Sequence, residues 1–197
     1  MVMAITQRVD LSDAQVKALS SLVSGRISQN ESVLDSHGRD ESAFPPIRPS
    51  AVVTVHTTQE VSKVLAYCNG QKIPVVAFGV GSSLEGHVLP LFGGISLDLS
   101  EMDSILKISP DDLTVTVQAG VKRMALNKKL SNDGLFFSVD PGADATIGGM
   151  TSTGAAGTTT VRYGSMRENV LKLTAVLADG TVIHAGRETR KLSAGYD

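Results

Sequence analysis

Residues 51–87 read AVVTVHTTQEVSKVLAYCNGQKIPVVAFGVGSSLEGH, and this stretch decides the fold class. AVVTV is short and β-branched, the composition of a strand. Thr57 and Glu60 are spaced as a capping box, and Val61, Val64, Leu65 and Cys68 then mark one face of a helix that Asn69 and Gly70 are expected to end. IPVVAF follows as a buried strand in type. A strand, a helix and a second strand make a parallel unit with a right-handed crossover. The unit runs straight into a glycine-rich loop, VAFGVGSSLEGH, residues 76–87.

On the N-terminal side, Val16, Leu19, Leu22 and Val23 recur at near-helical spacing after Ser12, which predicts an amphipathic helix from a Ser12 N-cap to about Arg26. A polar segment with HGRDES (residues 37–42) follows, and then the proline-rich AFPPIRP (residues 43–49), which reads as an extended crossing strand or linker, because proline lacks the N–H that a regular element needs. On the C-terminal side, GISLDL and LTVTV read as strands, and residues 121–133 read as a helix closed by Gly134. VLKLTAVL and TVIHA flank Ala178, Asp179, Gly180 and Thr181 as a hairpin. The order is mixed α+β, without an internal repeat.

Composition narrows the function classes. The chain has 197 residues, 42% of them hydrophobic, and a net charge of −2, which does not suit an electrostatic nucleic-acid binder. Its longest apolar runs, such as HVLPLFGGI, are broken by proline and glycine and fall short of a membrane span. MVMAITQRVDLSDAQ lacks the basic start and apolar core of a secretory signal. The single cysteine, Cys68, permits no internal disulfide, which suits a reducing compartment, and its helical spacing reads as a small buried hydrophobe.

Two glycine-rich loops break the pattern of the surrounding elements. In the first, residues 76–87, glycines permit positive φ and close approach of a ligand to the peptide N–H groups, while Ser82 and Ser83 add hydroxyls. A turn between two strands would use the same residues. The loop lacks the Gly-Lys-Ser/Thr of a Walker A motif, and Gly79 and Gly81 are not followed by the third glycine and helix of a Rossmann fingerprint. The second, DPGADATIGGMTSTGAAG (residues 140–157), carries no formal charge from Ala145 through Val161, and its small side chains let the backbone lie against a large planar or phosphorylated ligand. No Lys or Arg stands between Lys72 and Lys107, or between Lys129 and Arg162. A diphosphate bound here would be met by backbone N–H groups and hydroxyls.

Taken in order, HGRDES, PVVAFGVGSSLEGH, DPGADATIGGMTSTGAAG and VRYGSMRENVLKLTAVLADGTVI resemble the FAD-binding domain of the vanillyl-alcohol oxidase superfamily. Within it the likeness is to FAD-linked D-lactate dehydrogenases and glycolate oxidase flavin subunits, from about His37 to the last residue. The resemblance implies an α+β, two-lobed FAD-binding domain of the PCMH type over residues 47–197, incomplete at its C-terminus, with residues 1–46 as an N-terminal helix and linker. It implies FAD held between the lobes. Gly79, Val80, Gly81, Ser82, Ser83 and Leu84 would form the pyrophosphate loop. Asp140, Pro141, Gly142, Ala143, Asp144, Ala145 and Thr146, with Thr153, Gly154, Ala155 and Ala156, would line the rest of the dinucleotide. Gly148, Gly149 and Gly157 would serve backbone geometry as much as contact. Some members attach the flavin through a histidine in the first loop; Ser82 stands at that position here, so non-covalent FAD is expected. Residues 147–157 are expected to face the cofactor and residues 158–164 to return the chain to the sheet.

The same resemblance implies hydride transfer from a small D-2-hydroxy acid, of D-lactate or glycolate type, to the flavin N5. Electrons would pass on to a cytochrome, quinone or flavoprotein, in the cytoplasm or at the periphery of a respiratory membrane. The family pattern runs on past KLSAGYD into a substrate cap, so catalytic residues are not assignable here, and the alternative is an inactive FAD-binding module that needs a separate cap subunit. His87 could approach the flavin but is expected to bond loop backbone. His37, His56 and His184 have no metal-ligand spacing and are expected at surfaces or strand ends.

Overall fold

The computed structural model describes residues 7–189. The chain divides into two compact units: one runs to Glu101 and includes Val176–Thr181, and the other comprises Met102–Ala175 and continues from Val182.

In the first unit α1 (Asp13–Leu22) starts at Ser12, whose hydroxyl accepts from Gln15 N–H while the Gln15 side chain accepts from Ser12 N–H. The helix stops earlier than its periodicity predicts, because Ser24 and Gly25 turn the chain through left-handed backbone, with φ of 51° and 86°. Leu19 and Val23 are fully buried. A two-residue strand, β1 (Ile27–Ser28), and a short helix, α2 (Glu31–Ser36), occupy the polar segment. Neither is visible in the hydrophobic periodicity. Asn30 caps α2 by accepting from Ser32 N–H.

The decisive stretch folds as β2 (Ala51–Thr54), α3 (Thr58–Gln71) and β3 (Val75–Phe78). Thr57 is the N-cap, but the Glu60 carboxylate reaches back to His56 N–H, 2.8 Å away, and to the Arg26 guanidinium, so the expected reciprocal box is displaced by one residue. Gly70 does not end the helix: α3 continues to Gln71, and Lys72 supplies the left-handed residue, with φ of 56°. β4 (Ile95–Asp98) lies between β2 and β3 and is parallel to both; β1 adds antiparallel to β2, giving the order β1, β2, β4, β3. β4 is buried along its whole length, as a central parallel strand should be, whereas the edge strand β3 is only half-buried. Thr54, Asp98 and Phe78 are register partners across the ladder, so the carboxyl ends of the three parallel strands lie level. Val53, Val55, Val64, Ile95 and Leu97 form the core with α1 and α3, each contributing about 1.5–3 kcal/mol of burial.

The second unit opens with a hairpin, β5 (Ile105–Ser109) and β6 (Thr114–Val117), the first strand of which the polar Lys107 and Ser109 conceal in the sequence. It packs on α4 (Arg123–Leu130), which passes into one turn of 3-10 helix (Ser131–Asp133) and ends at Gly134, φ 68°, as the sequence predicts. The core is Val121, Leu126 and Leu130 against Ile105, Ile108, Val115, Val117, Phe137 and Ile147. The small-residue stretch is helical in part: α5 (Ile147–Ser152) lies within it. Contrary to expectation, residues 158–164 do not return the chain to the sheet; α6 (Thr160–Tyr163) and α7 (Met166–Asn169) intervene. α7 is started by a capping box in which the Glu168 carboxylate accepts from Ser165 N–H. The hairpin of β7 (Lys172–Val176) and β8 (Val182–Gly186) follows, its turn at Asp179 and Gly180 as expected.

Candidate functional site

The first glycine loop leaves β3 at the carboxyl edge of the parallel strands, where open α/β sheets place their ligands. Gly81 has φ of 67°, and a Cβ there would stand 3.1 Å from the Phe78 ring and 3.4 Å from the Arg39 carbonyl. Among the described residues, the N–H groups of Val80, Gly81, Ser82 and Ser83 donate no hydrogen bond, and none of these four is buried. Four successive unpaired donors in a loop of small residues form a neutral cradle for anionic oxygens. The loop is held from one side by Glu41 N–H, which donates to the Ser83 carbonyl at 3.0 Å, and Leu84 is exposed.

The segment HGRDES forms the opposite wall. Ser36, Arg39, Asp40 and Glu41 line one recess with Phe78, Val80 and Gly81. The sequence places no Lys or Arg in the loop itself, yet the fold sets Arg39 beside it; its presence in the quoted HGRDES motif was the available signal. Asp40 accepts from Ser42 N–H, and its Oδ2 has no partner among the described residues. Burial opposes ionisation of that carboxyl, but the Ser42 hydroxyl and N–H outweigh it and hold the group below its ordinary range.

His37 is not at the surface. Its Nδ1 faces the Val33 carbonyl at 2.9 Å and its Nε2 faces Asp98 Oδ2 at 3.3 Å, while its ring lies 4.2 Å from that of Phe78. Two acceptors, one at each ring nitrogen, are both satisfied only by the imidazolium. Burial works against the charge, but the hydrogen bond and field of Asp98 and the Val33 carbonyl raise the His37 pKa overall. Asp98, itself buried, is held below the usual carboxylate range: burial pushes it up, and His37 and Ser100 pull it further down. His87 bonds the Ser83 hydroxyl through Nδ1, a loop side chain rather than the expected backbone. His56 follows β2 and pairs with Glu101, and His184 lies exposed on β8 beside Thr174.

In the second unit, residues 140–157 divide between scaffold and accessible surface. Asp140 pairs with Arg123 at 3.3 Å and accepts from Gly142 N–H, and Asp144 accepts from Met124 N–H at the start of α4. Ala145 and Thr146 are buried; Thr146 caps α5 by accepting from Gly149 N–H. A Cβ at Gly148 would lie 2.6 Å from Ala119 Cβ, so this glycine lets α5 close on the preceding loop. Gly142, Asp144, Gly149, Thr153, Gly154 and Ala156 remain exposed, with Pro141, Ala143, Ala155 and Gly157 half-buried. Among the described residues there is no group of three side chains fit to hold a metal, and no helix long and apolar enough to cross a membrane.

These features match known proteins. Residues 49–186 fit a family model described as an FAD binding domain. The probable mitochondrial D-lactate dehydrogenase of Danio rerio is 45% identical over 174 residues, 87% of this chain and 35% of that protein. D-lactate dehydrogenase [cytochrome] 1, mitochondrial, of Saccharomyces cerevisiae is 44% identical, covering 86% of this chain and 30% of its own. The glycolate oxidase subunit GlcD of Bacillus subtilis is 36% identical, covering 76% and 32%. The chain thus spans about a third of the length of these relatives. Among solved structures, an alkyldihydroxyacetonephosphate synthase superposes with a TM-score of 0.80 over 94% of this chain and 36% of its own, at 19% identity, a likeness of fold. The 6-hydroxy-D-nicotine oxidase of Arthrobacter nicotinovorans does so at 0.73 over 83% and 36%, with 25% identity.

Proposed function

The chain belongs to the FAD binding domain family, and on that premise we propose that it is the FAD-binding portion of a flavoprotein dehydrogenase for small D-2-hydroxy acids, of D-lactate or glycolate type. The observation that carries the cofactor site is the run of N–H groups from Val80 to Ser83, unpaired among the described residues and bent at the positive-φ Gly81. This cradle fits a diphosphate: the donors are neutral, the side chains are small, and Arg39 lines the same recess. Residues 79–84 are proposed to hold the pyrophosphate. Residues 140–146, Gly148, Gly149 and residues 153–157 are proposed to serve the remainder, with Gly148, Ala145 and Thr146 acting through the backbone they pack. Ser82 cannot form the covalent link that a histidine would, which favours FAD held without a bond to the protein.

Bound flavin supplies the two-electron chemistry that no side chain provides. The chain's own part is to bind and orient it. Substrate selection is proposed to lie in a cap region of the kind the longer relatives have room for, and the acceptor to be a cytochrome, quinone or flavoprotein, reached from the cytoplasm or the face of a respiratory membrane. One other reading is that residues 1–197 on their own form an FAD-binding module without turnover, spanning as they do about a third of the relatives' length.

The test is an absorption spectrum of the purified chain after incubation with FAD and desalting. A flavin spectrum released by heat or acid is expected. A preparation that stays colourless with added FAD overturns the cofactor assignment, and D-lactate oxidation by the chain with an artificial acceptor overturns the module reading.

A further inference from the structure

We infer that His37 is a positioning residue for the dinucleotide loop, acting through the ring of Phe78. The inference rests on the assignment of residues 79–84 to the diphosphate. Four groups stand in line at the carboxyl edge of the sheet. Asp98 is fixed by β4, where Ser100 N–H holds its Oδ1 at 2.8 Å. Its Oδ2 holds His37 Nε2 at 3.3 Å, and the Val33 carbonyl of α2 holds the other ring nitrogen at 2.9 Å. An imidazole tied at both nitrogens cannot rotate. It lies against the Phe78 ring in a tilted contact, at a centroid distance of 4.2 Å and an interplanar angle of 40°. That ring in turn stands 3.1 Å from the position a Cβ would take on Gly81.

The loop needs such a support. Its N–H groups from Val80 to Ser83 make no bonds among the described residues, and the hydrogen bonds that do hold the loop gather at Ser83, so the stretch around Gly81 relies on packing, and a cradle of donors is useful only if they converge before the ligand arrives. Phe78 is the last residue of the half-buried edge strand β3, and a ring there has room to change rotamer unless something packs on it. His37 fills that role, and its residue type follows: phenylalanine would stack equally well but would leave the buried Asp98 carboxylate without its partner. His37 also lies outside residues 49–186, the part that fits the FAD binding domain model. The dinucleotide site of this chain therefore includes an element that precedes the family domain.

The experiment compares rings in one background. Asp98→Asn removes the charge that loss of His37 would strand, and His37→Phe or His37→Ala is added to it. FAD dissociation constants are read from quenching of flavin fluorescence, and circular dichroism confirms folding. The Ala variant is expected to bind FAD about five- to tenfold more weakly than the Phe variant, the scale of one aromatic contact. In a Phe78→Leu background the difference between them should vanish, which a general loss of stability would not produce. If the alanine variant does not fold, His37→Leu, which fills the space without an aromatic face, replaces it. Equal affinities of the Phe and Ala variants, or a difference that persists without Phe78, overturn the inference. Failure of the underlying site assignment looks different: the unmodified chain binds no FAD, or Gly81→Val binds it normally.

Discussion

The carbonyl oxygen of Asp140 occupies the space that a side chain at residue 157 would need: a Cβ built on Gly157 would lie 1.7 Å from it. Thr158 N–H donates to the same carbonyl at 3.3 Å, so the two ends of the small-residue stretch are pressed backbone to backbone. Gly157→Ala must move one of them. The expected cost is about 3 kcal/mol or more, above the usual range for a single added methyl, since backbone rather than a flexible side chain has to yield. Urea unfolding of the two proteins without FAD measures it; a loss under about 1 kcal/mol would show that the contact relaxes freely.

The His37 and Asp98 pair should make stability depend on pH on both sides of a window. His37 has a raised pKa in the folded chain, so its contribution is complete below its ordinary value of 6.5 and is lost as pH rises through the raised value. Asp98 has a lowered pKa, so its contribution is complete above 3.8 and is lost as pH falls through the lowered value. The pair therefore supports the fold fully between these limits. The groups facing His37 are Asp98 on β4 and the Val33 carbonyl and Ser36 hydroxyl on α2. Urea midpoints of the FAD-free chain should fall from pH 6 to pH 9, and the fall should be smaller in a His37→Gln variant. Parallel profiles for the two would remove His37 from the effect.

Cys68 should be inert until the chain unfolds. It is 1% exposed on the inner face of α3, and burial pushes its thiol up to about 12, so at neutral pH neither access nor thiolate is available. A chromogenic disulfide reagent should react only after denaturant is added. Stoichiometric labelling of the native protein within minutes would contradict the burial.

Asp144 has a structural duty separate from any ligand. The N-cap residue of α4, Lys122, offers no side-chain acceptor, and Asp144 supplies one from a distant loop by accepting Met124 N–H at 2.8 Å. Its negative charge also suits the helix N-terminus. Asp144→Ala should cost about 1 kcal/mol in thermal or urea unfolding of the FAD-free chain, the usual worth of a cap, and Asp144→Asn should recover most of it. An unchanged unfolding midpoint would mean that water replaces the carboxylate without loss.

Much of this was legible from local patterns. The β-branched run at residues 51–55, the helix starts at Ser12 and Thr57, the Gly134 stop and the turn at Gly180 each depend on a few neighbouring side chains, and each stands where those side chains put it. The buried character of Cys68 follows from helical spacing in the same way. The ordered glycine motifs were enough to mark the family, because a loop that must present bare backbone to a ligand leaves few residue types to choose from.

What the sequence could not decide are relations between residues far apart in the chain. The end of α3 moved past Gly70 because Lys72 accepts a left-handed conformation there, and α5 forms over residues whose glycines and threonines argue against helix, because the Thr146 cap and the close packing of Gly148 on Ala119 outweigh weak local preference. His37, expected at a surface, is drawn inward by a carboxylate 61 positions later in the chain. Arg39 adjoins a loop that by sequence holds no cation. Hydrophobic period and turn chemistry act over a few residues and can be read in order. A charge pair, a ring stack or a backbone contact exists only when the sheet sets Asp98, Phe78 and the HGRDES segment side by side, so the neutral character of the cradle was written in its residues while the walls that shape it were settled by the fold.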